Sequence, residues 1–182
     1  MPLPKLSESQ IEGLIQQVAE YIESQRQTYR AKGVPLDHSQ KGVMGPFFPK
    51  SVLDSTRVVV LDGNRVSNPP FYSELVKMRF SPDSLPNFAE MAAITFVDTI
   101  VFHIPITNRT LFHELVHALQ YEKLGLAEFS AKYVNGFLHG GSYEAIPLEQ
   151  NAYDLDARFA AAPVAVFSVA DAVQEWIDFN LF

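Results

Sequence analysis

Apolar residues recur at Ile11, Leu14, Ile15, Val18 and Ile22, three and four positions apart, with polar residues between them. That spacing predicts an amphipathic helix over about residues 7–32, its apolar stripe turned to a core. Ser7 followed by Gln10 supplies a capping box at its start, and Gly33 supplies a stop. The pattern then changes. Pro35, Gly42, Gly45, Pro46 and Pro49 crowd the stretch up to Lys50, which reads as an ordered loop. "RVVVL" ahead of "DGN" predicts a short buried strand running into a turn, and "FYSELVKMRF" after Pro69-Pro70 predicts a helix.

In "AAITFVDTIVFH", two β-rich runs lie on either side of Asp98-Thr99, so a hairpin or a bent strand is expected. A helix then runs from Thr107 or Asn108 toward Gly125, and a second covers "LAEFSAKYVNGFL" up to the Gly140-Gly141 break. Pro147 opens a further helix in "IPLEQNAYDLDARFAAA". The last helix has Ser168 and Asp171 as cap candidates and Val169, Val173, Trp176 and Ile177 as its apolar face. This order predicts an α+β fold, with a small mixed or antiparallel sheet and several packed helices. At 182 residues and 47% hydrophobic, the chain is expected to form one domain over 1–182.

Charge and composition narrow the function. The formal net charge is −7 and no run of Lys or Arg exists, which argues against nucleic acid as a partner. The start lacks an apolar signal core and no stretch is apolar enough to span a bilayer, so a soluble, cytoplasmic protein without membrane insertion is expected. Zero cysteines remove disulfides, thiolate ligands and a cysteine nucleophile together. Any metal must sit on His, Asp or Glu.

"LFHELVHALQ" carries the chemistry. His113 and His117 are four residues apart, so on a helix both imidazoles leave one face a turn apart and can share one ion. Glu114 is rotated by about 100° from them, which suits a carboxylate that takes a proton from water without itself being a ligand. A chance HExxH occurs in on the order of one in a hundred chains of this size, so context has to decide. Leu111, Phe112, Leu115, Val116, Ala118 and Leu119 make this a helix buried on most sides, where polar residues need a reason. The third ligand is expected downstream. Glu149 is best placed, in the first turn after Pro147 and with small Ala152 three residues on; Glu144 and Asp154 are its rivals. Asp156, seven residues from Glu149, is suited either to hydrogen-bond a ligand imidazole or to be solvated. His103 and His38 have no metal spacing to another His and are expected to be structural or exposed.

"ITFVDTIVFH", "LFHELVHALQYE" and "YEAIPLEQNAYD" together resemble the gluzincin branch of the zincin metallopeptidases. The likeness is to compact bacterial domains that pair HExxHxxQ with a later P-x-E-x-x-A, and it covers about residues 93–160. The resemblance implies a zincin-like fold, zinc held by His113, His117 and Glu149, and Glu114 as general base. It also implies that the strand before the motif rims a cleft where an extended peptide adds as a further strand. Many gluzincins have Asp four residues beyond the ligand Glu, where this chain has Tyr153. The activity expected is peptide-bond hydrolysis on a peptide or protein substrate, with Tyr143, then His139, then Tyr153 as candidate donors to the oxyanion. The rival readings are a non-catalytic binding or scaffold domain and a zinc hydrolase of a non-peptide amide.

Overall fold

The computed structural model describes residues 3–182. The N-terminal helix α1 spans Glu8–Arg30, with Ser7 and Gln10 forming the expected capping box. The following stretch is less of a loop than its prolines and glycines imply. It holds a short strand β1 (Val34–Pro35) and two short helices, α2 (His38–Met44) and α3 (Lys50–Ser55). Asp37 caps α2 with Gln40 three residues later, the same reciprocal pair that starts α1. Met44, Phe47, Phe48, Val52 and Leu53 are buried, so tertiary packing holds these short helices where propensity alone would not.

Strand β2 (Arg57–Val60) precedes α4 (Tyr72–Lys77), and the hairpin follows as β3 (Ala93–Phe96) and β4 (Thr99–Phe102). Its turn is Val97-Asp98, one residue earlier than the sequence pattern places it, and Val97 has φ 61, rare for a β-branched residue. Tertiary bonds pin the turn there. The Asp98 carboxylate takes Arg26 Nε and Nη2 at 2.8 Å each and lies 2.8 Å from Arg30, while the Asp98 carbonyl accepts from Arg57 N at 2.8 Å. The sheet is mixed, in the order β1-β2-β4-β3, with β2 and β4 parallel and the other neighbours antiparallel.

Helix α5 (Asn108–Gly140) is bent at Gly125, whose φ 76 and ψ 162 lie outside the helical range. The expected stop at Gly125 is therefore a change of direction between two helical segments. Helix α6 (Pro147–Ala161) and helix α7 (Val169–Asp178) complete the chain, and Ser168 accepts from Asp171 N as α7's cap. The first segment of α5 packs with one sheet face and α6 around Phe47, Phe48, Phe112, Phe159 and Phe167. Deleting one such ring costs about 3–5 kcal/mol. The second segment joins α1, α4 and the other sheet face in a separate apolar cluster. Its approach to α6 is close: a Cβ on Gly136 would lie 2.7 Å from Pro147 Cδ. Among the described residues, no helix is long and apolar enough to cross a membrane.

Candidate metal centre

The centre lies where the first segment of α5 faces α6. His113 and His117 are both buried, one turn apart on α5, with their Nε2 atoms 3.2 Å from each other. Glu149 comes from the first turn of α6, buried to 4% exposure, with its Oε2 at 3.3 Å from His117 Nε2 and 3.6 Å from His113 Nε2. These three are the one group of candidate ligand atoms among the described residues that lie within 4.8 Å of one another. Glu144 and Asp154, the rivals for the third position, are both exposed.

The surrounding hydrogen bonds settle which ring nitrogens are free. His113 Nδ1 is 2.9 Å from Asp156 Oδ2, a carboxylate, so Nδ1 carries the proton and donates. Asp156 is itself held by Arg109, whose Nε and Nη2 reach Oδ1 at 2.9 and 2.8 Å. His117 Nδ1 is 2.9 Å from Gln120 Oε1. Gln120 Nε2 donates to the Leu148 carbonyl and to Asn151 Oδ1 at 3.0 Å each, which fixes the amide's orientation and makes Oε1 the acceptor. Both imidazoles therefore turn an Nε2 lone pair toward Glu149 Oε2, a buried oxygen with no hydrogen-bonding partner.

Three acceptors aimed at one point repel unless a cation stands between them. The proton affinities report the same field. Burial pulls the His113 imidazole down, but the Asp156 hydrogen bond and the nearby Glu114 and Glu149 carboxylates outweigh it and lift it to about 10. His117 is likewise raised, because the Glu149 charge overcomes burial. Burial pushes the Glu149 carboxyl up, yet the two imidazoles hold it well below the usual carboxylate range. Two imidazole nitrogens and one carboxylate oxygen, with second partners already in place, form a donor set that can hold a metal ion.

Glu114 stands beside this group without belonging to it. It is 5% exposed, and Thr95 Oγ1 donates to its Oε2 at 2.7 Å. Thr95 comes from β3, the edge strand of the sheet, next to β4. The strand nearest in sequence, β4, is paired on both sides. Because His103 N bonds the Ala92 carbonyl, the antiparallel alternation turns the main-chain groups of Ala93 and Thr95 to the open edge.

Tyr143 is half-buried, and its hydroxyl lies in the field of the Glu149 carboxylate. Burial and then the Glu149 charge push that hydroxyl well above its ordinary value, so it keeps its proton. Tyr153 is 42% exposed, and its ring centroid lies 4.7 Å from that of His113. His139 is not brought to the group. It is exposed, its Nδ1 bonds the Asn135 carbonyl at 2.6 Å, and it lines a separate surface groove with Lys132 and Phe182. His103 is structural, with Nδ1 on the Met91 carbonyl at 2.8 Å and Nε2 accepting from Val66 N at 3.0 Å, and His38 is exposed. Thr95, Gln120, Arg109 and Asn151 are site residues to which sequence reasoning assigned no role. A fully buried glutamine inside an apolar run was a usable signal for Gln120 alone.

No protein-family model, curated protein or solved structure matches the chain.

Proposed function

We propose that the protein is a zinc-dependent hydrolase of peptide bonds with a zincin-like arrangement, in which His113, His117 and Glu149 hold the ion and Glu114 is the general base. The observation that carries this reading is Glu114: a buried carboxylate beside the ligands, held on one oxygen by Thr95 and taking no part in the ligand set. A purely structural metal site has no use for such a group. When bound, zinc supplies a Lewis acid and draws the pKa of water toward neutrality. Glu114 accepts the water's proton on Oε1, the oxygen that Thr95 leaves free, and delivers it to the departing amine as the C–N bond breaks. The Tyr143 hydroxyl, which keeps its proton, is a donor for the developing oxyanion. The open main-chain groups of Ala93 and Thr95 offer an extended substrate two antiparallel pairing positions next to Glu114.

The test compares the parent with Glu114→Gln. Elemental analysis should find about one zinc per chain in both. Cleavage of a mixed peptide library should fall between about a hundred- and ten-thousand-fold in the variant. A variant that cleaves as fast as the parent removes Glu114 from the role of base.

A further inference from the structure

A cavity of about 90 Å³ lies beside the metal centre, with Glu114, His117 and Glu149 in its lining. Part of its wall is one stretch of chain, residues 66–91, which lies between β2 and β3 and contributes Pro69, Phe71, Tyr72, Leu75, Leu85 and Met91 to the lining. Apart from α4 and a short 3-10 turn at Pro82–Ser84, this stretch has no regular structure, so its place on the cavity depends on what ties it down.

His103 ties both of its ends. The ring lies just past the end of β4 and is 8% exposed. Its Nδ1 is 2.8 Å from the Met91 carbonyl, and its Nε2 is 3.0 Å from Val66 N. A carbonyl only accepts and a main-chain N–H only donates, so the ring carries its one proton on Nδ1 and presents a lone pair at Nε2. No other protonation state satisfies both bonds. In an imidazolium the second proton, on Nε2, meets the Val66 N–H, and Val66 is buried, so its donor is stranded. Burial disfavours the charged ring, and Arg65, the charged neighbour whose field reaches it, adds repulsion. No carboxylate on β4 or on either end of the stretch offsets these two effects. The two ends are joined again by Arg65 on the Ala89 carbonyl at 3.0 Å and by Asn68 with Phe88 N at 2.8 Å and Asn87 at 3.2 Å. Those bonds are exposed and exchange with water at little net cost, which leaves the buried bond of His103 to Val66 as the decisive one.

We propose that His103 is a proton-operated clasp: the neutral ring holds residues 66–91 against the cavity, and a proton on Nε2 breaks the Val66 bond and lets the stretch open. Leu75, Phe80 and Leu85 stay buried anchors, so the proton makes opening more frequent without detaching the stretch. Access to the cavity beside the metal centre is then greater in mild acid than at neutral pH, whether or not that centre hydrolyses peptides. In the open form the ring takes its proton at the ordinary value near 6.5, whereas in the closed form it does so only at lower pH. Opening is therefore independent of pH above about 6.5 and grows about tenfold for each pH unit below it, until the closed ring itself titrates.

The chain has no cysteine, so a single introduced thiol reports on one place. Leu75→Cys puts it in the cavity wall, and Leu119→Cys puts it in the first segment of α5 as a reference. Alkylation rates, divided by the thiolate fraction, are measured between about pH 8 and pH 5. The Leu75→Cys thiol should follow the profile above while the Leu119→Cys thiol stays flat. Adding His103→Gln should flatten the Leu75→Cys profile, because the glutamine carbonyl can accept from Val66 N and does not titrate. A second measurement needs no substitution: in the unaltered chain, NMR-detected exchange of the Val66 amide, corrected for its intrinsic pH dependence, should rise with the same profile. A flat Val66 profile overturns the proposal. So does an acid rise that survives His103→Gln, or one shared equally by the two thiols, which reports unfolding of the whole chain.

Discussion

The metal centre and the cavity beside it are built on opposite principles. At the metal end, each ligand imidazole is held on its far side: Asp156 and Arg109 stand behind His113, and Gln120, Leu148 and Asn151 stand behind His117. Away from the metal centre the cavity wall is mostly apolar, with the hydroxyls of Tyr21 and Tyr72 spent on backbone carbonyls and Tyr121 and Tyr133 also in the lining. One end fixes orientation through hydrogen bonds whose loss is expensive in a buried setting. The other is held mainly by apolar packing. A change at the first should alter how tightly a metal is held, and a change at the second should leave that property alone.

The largest expected effect comes from Gln120→Leu, which fills similar space but removes the partner of His117 Nδ1 and strands the Leu148 carbonyl and Asn151 Oδ1. Loss of such an outer partner typically weakens metal affinity 10- to 100-fold, and that is the drop expected in a competition titration with a chelator. If metal affinity were unchanged, His117 would not depend on Gln120 for its orientation.

Much of the metal end was legible in the sequence because its spacing is local. His113 and His117 are a helical turn apart, and Glu149 and Asp156 sit seven residues apart on one face of α6. The helices of the 34–55 stretch went unread even though Asp37 and Gln40 repeat the capping signal of Ser7 and Gln10, because proline and glycine density outweighed it. Thr95 and Arg109 could not be read at all. Their partners lie 19 and 47 residues away, and no periodicity reports contacts at that distance. The cavity is also invisible in one dimension, since its wall is assembled from several separate segments that each look like ordinary core.

Gly136 lies between the two regions in the chain's packing. Its neighbour Phe137 lines the cavity, while Pro147, which a Cβ at Gly136 would approach to 2.7 Å, begins the helix that carries Glu149. The proline ring is rigid, so Gly136→Ala must push α5 and α6 apart and should cost about 2 kcal/mol in thermal or chemical unfolding. It should also weaken zinc binding. A variant that loses stability but keeps its zinc affinity would show that the packing at Gly136 does not position Glu149.

The smallest effect expected touches only a wall. Arg26 and Arg30, at the C-terminal end of α1, clamp Asp98 in the hairpin turn, with the Asp98 side chain 19% exposed and that of Arg26 29%. Burial alone would raise the Asp98 carboxyl, but Arg26 and then Arg30 outweigh it and hold it below its ordinary value near 3.8. A carboxyl whose folded value is depressed contributes stability that is fully present above its unfolded value and is lost as the pH falls toward the folded one. Asp98→Asn should therefore cost about 1 kcal/mol at neutral pH, in keeping with a bidentate but partly solvated pair. The gap between parent and variant should hold constant down to about pH 4 and close below it. Because α1 contributes to the cavity wall and nothing to the candidate ligand set, zinc affinity should be the same in both proteins. A gap that persists unchanged at pH 2 would mean that the substitution acts through the shape of the turn at Val97 and not through the Asp98 charge.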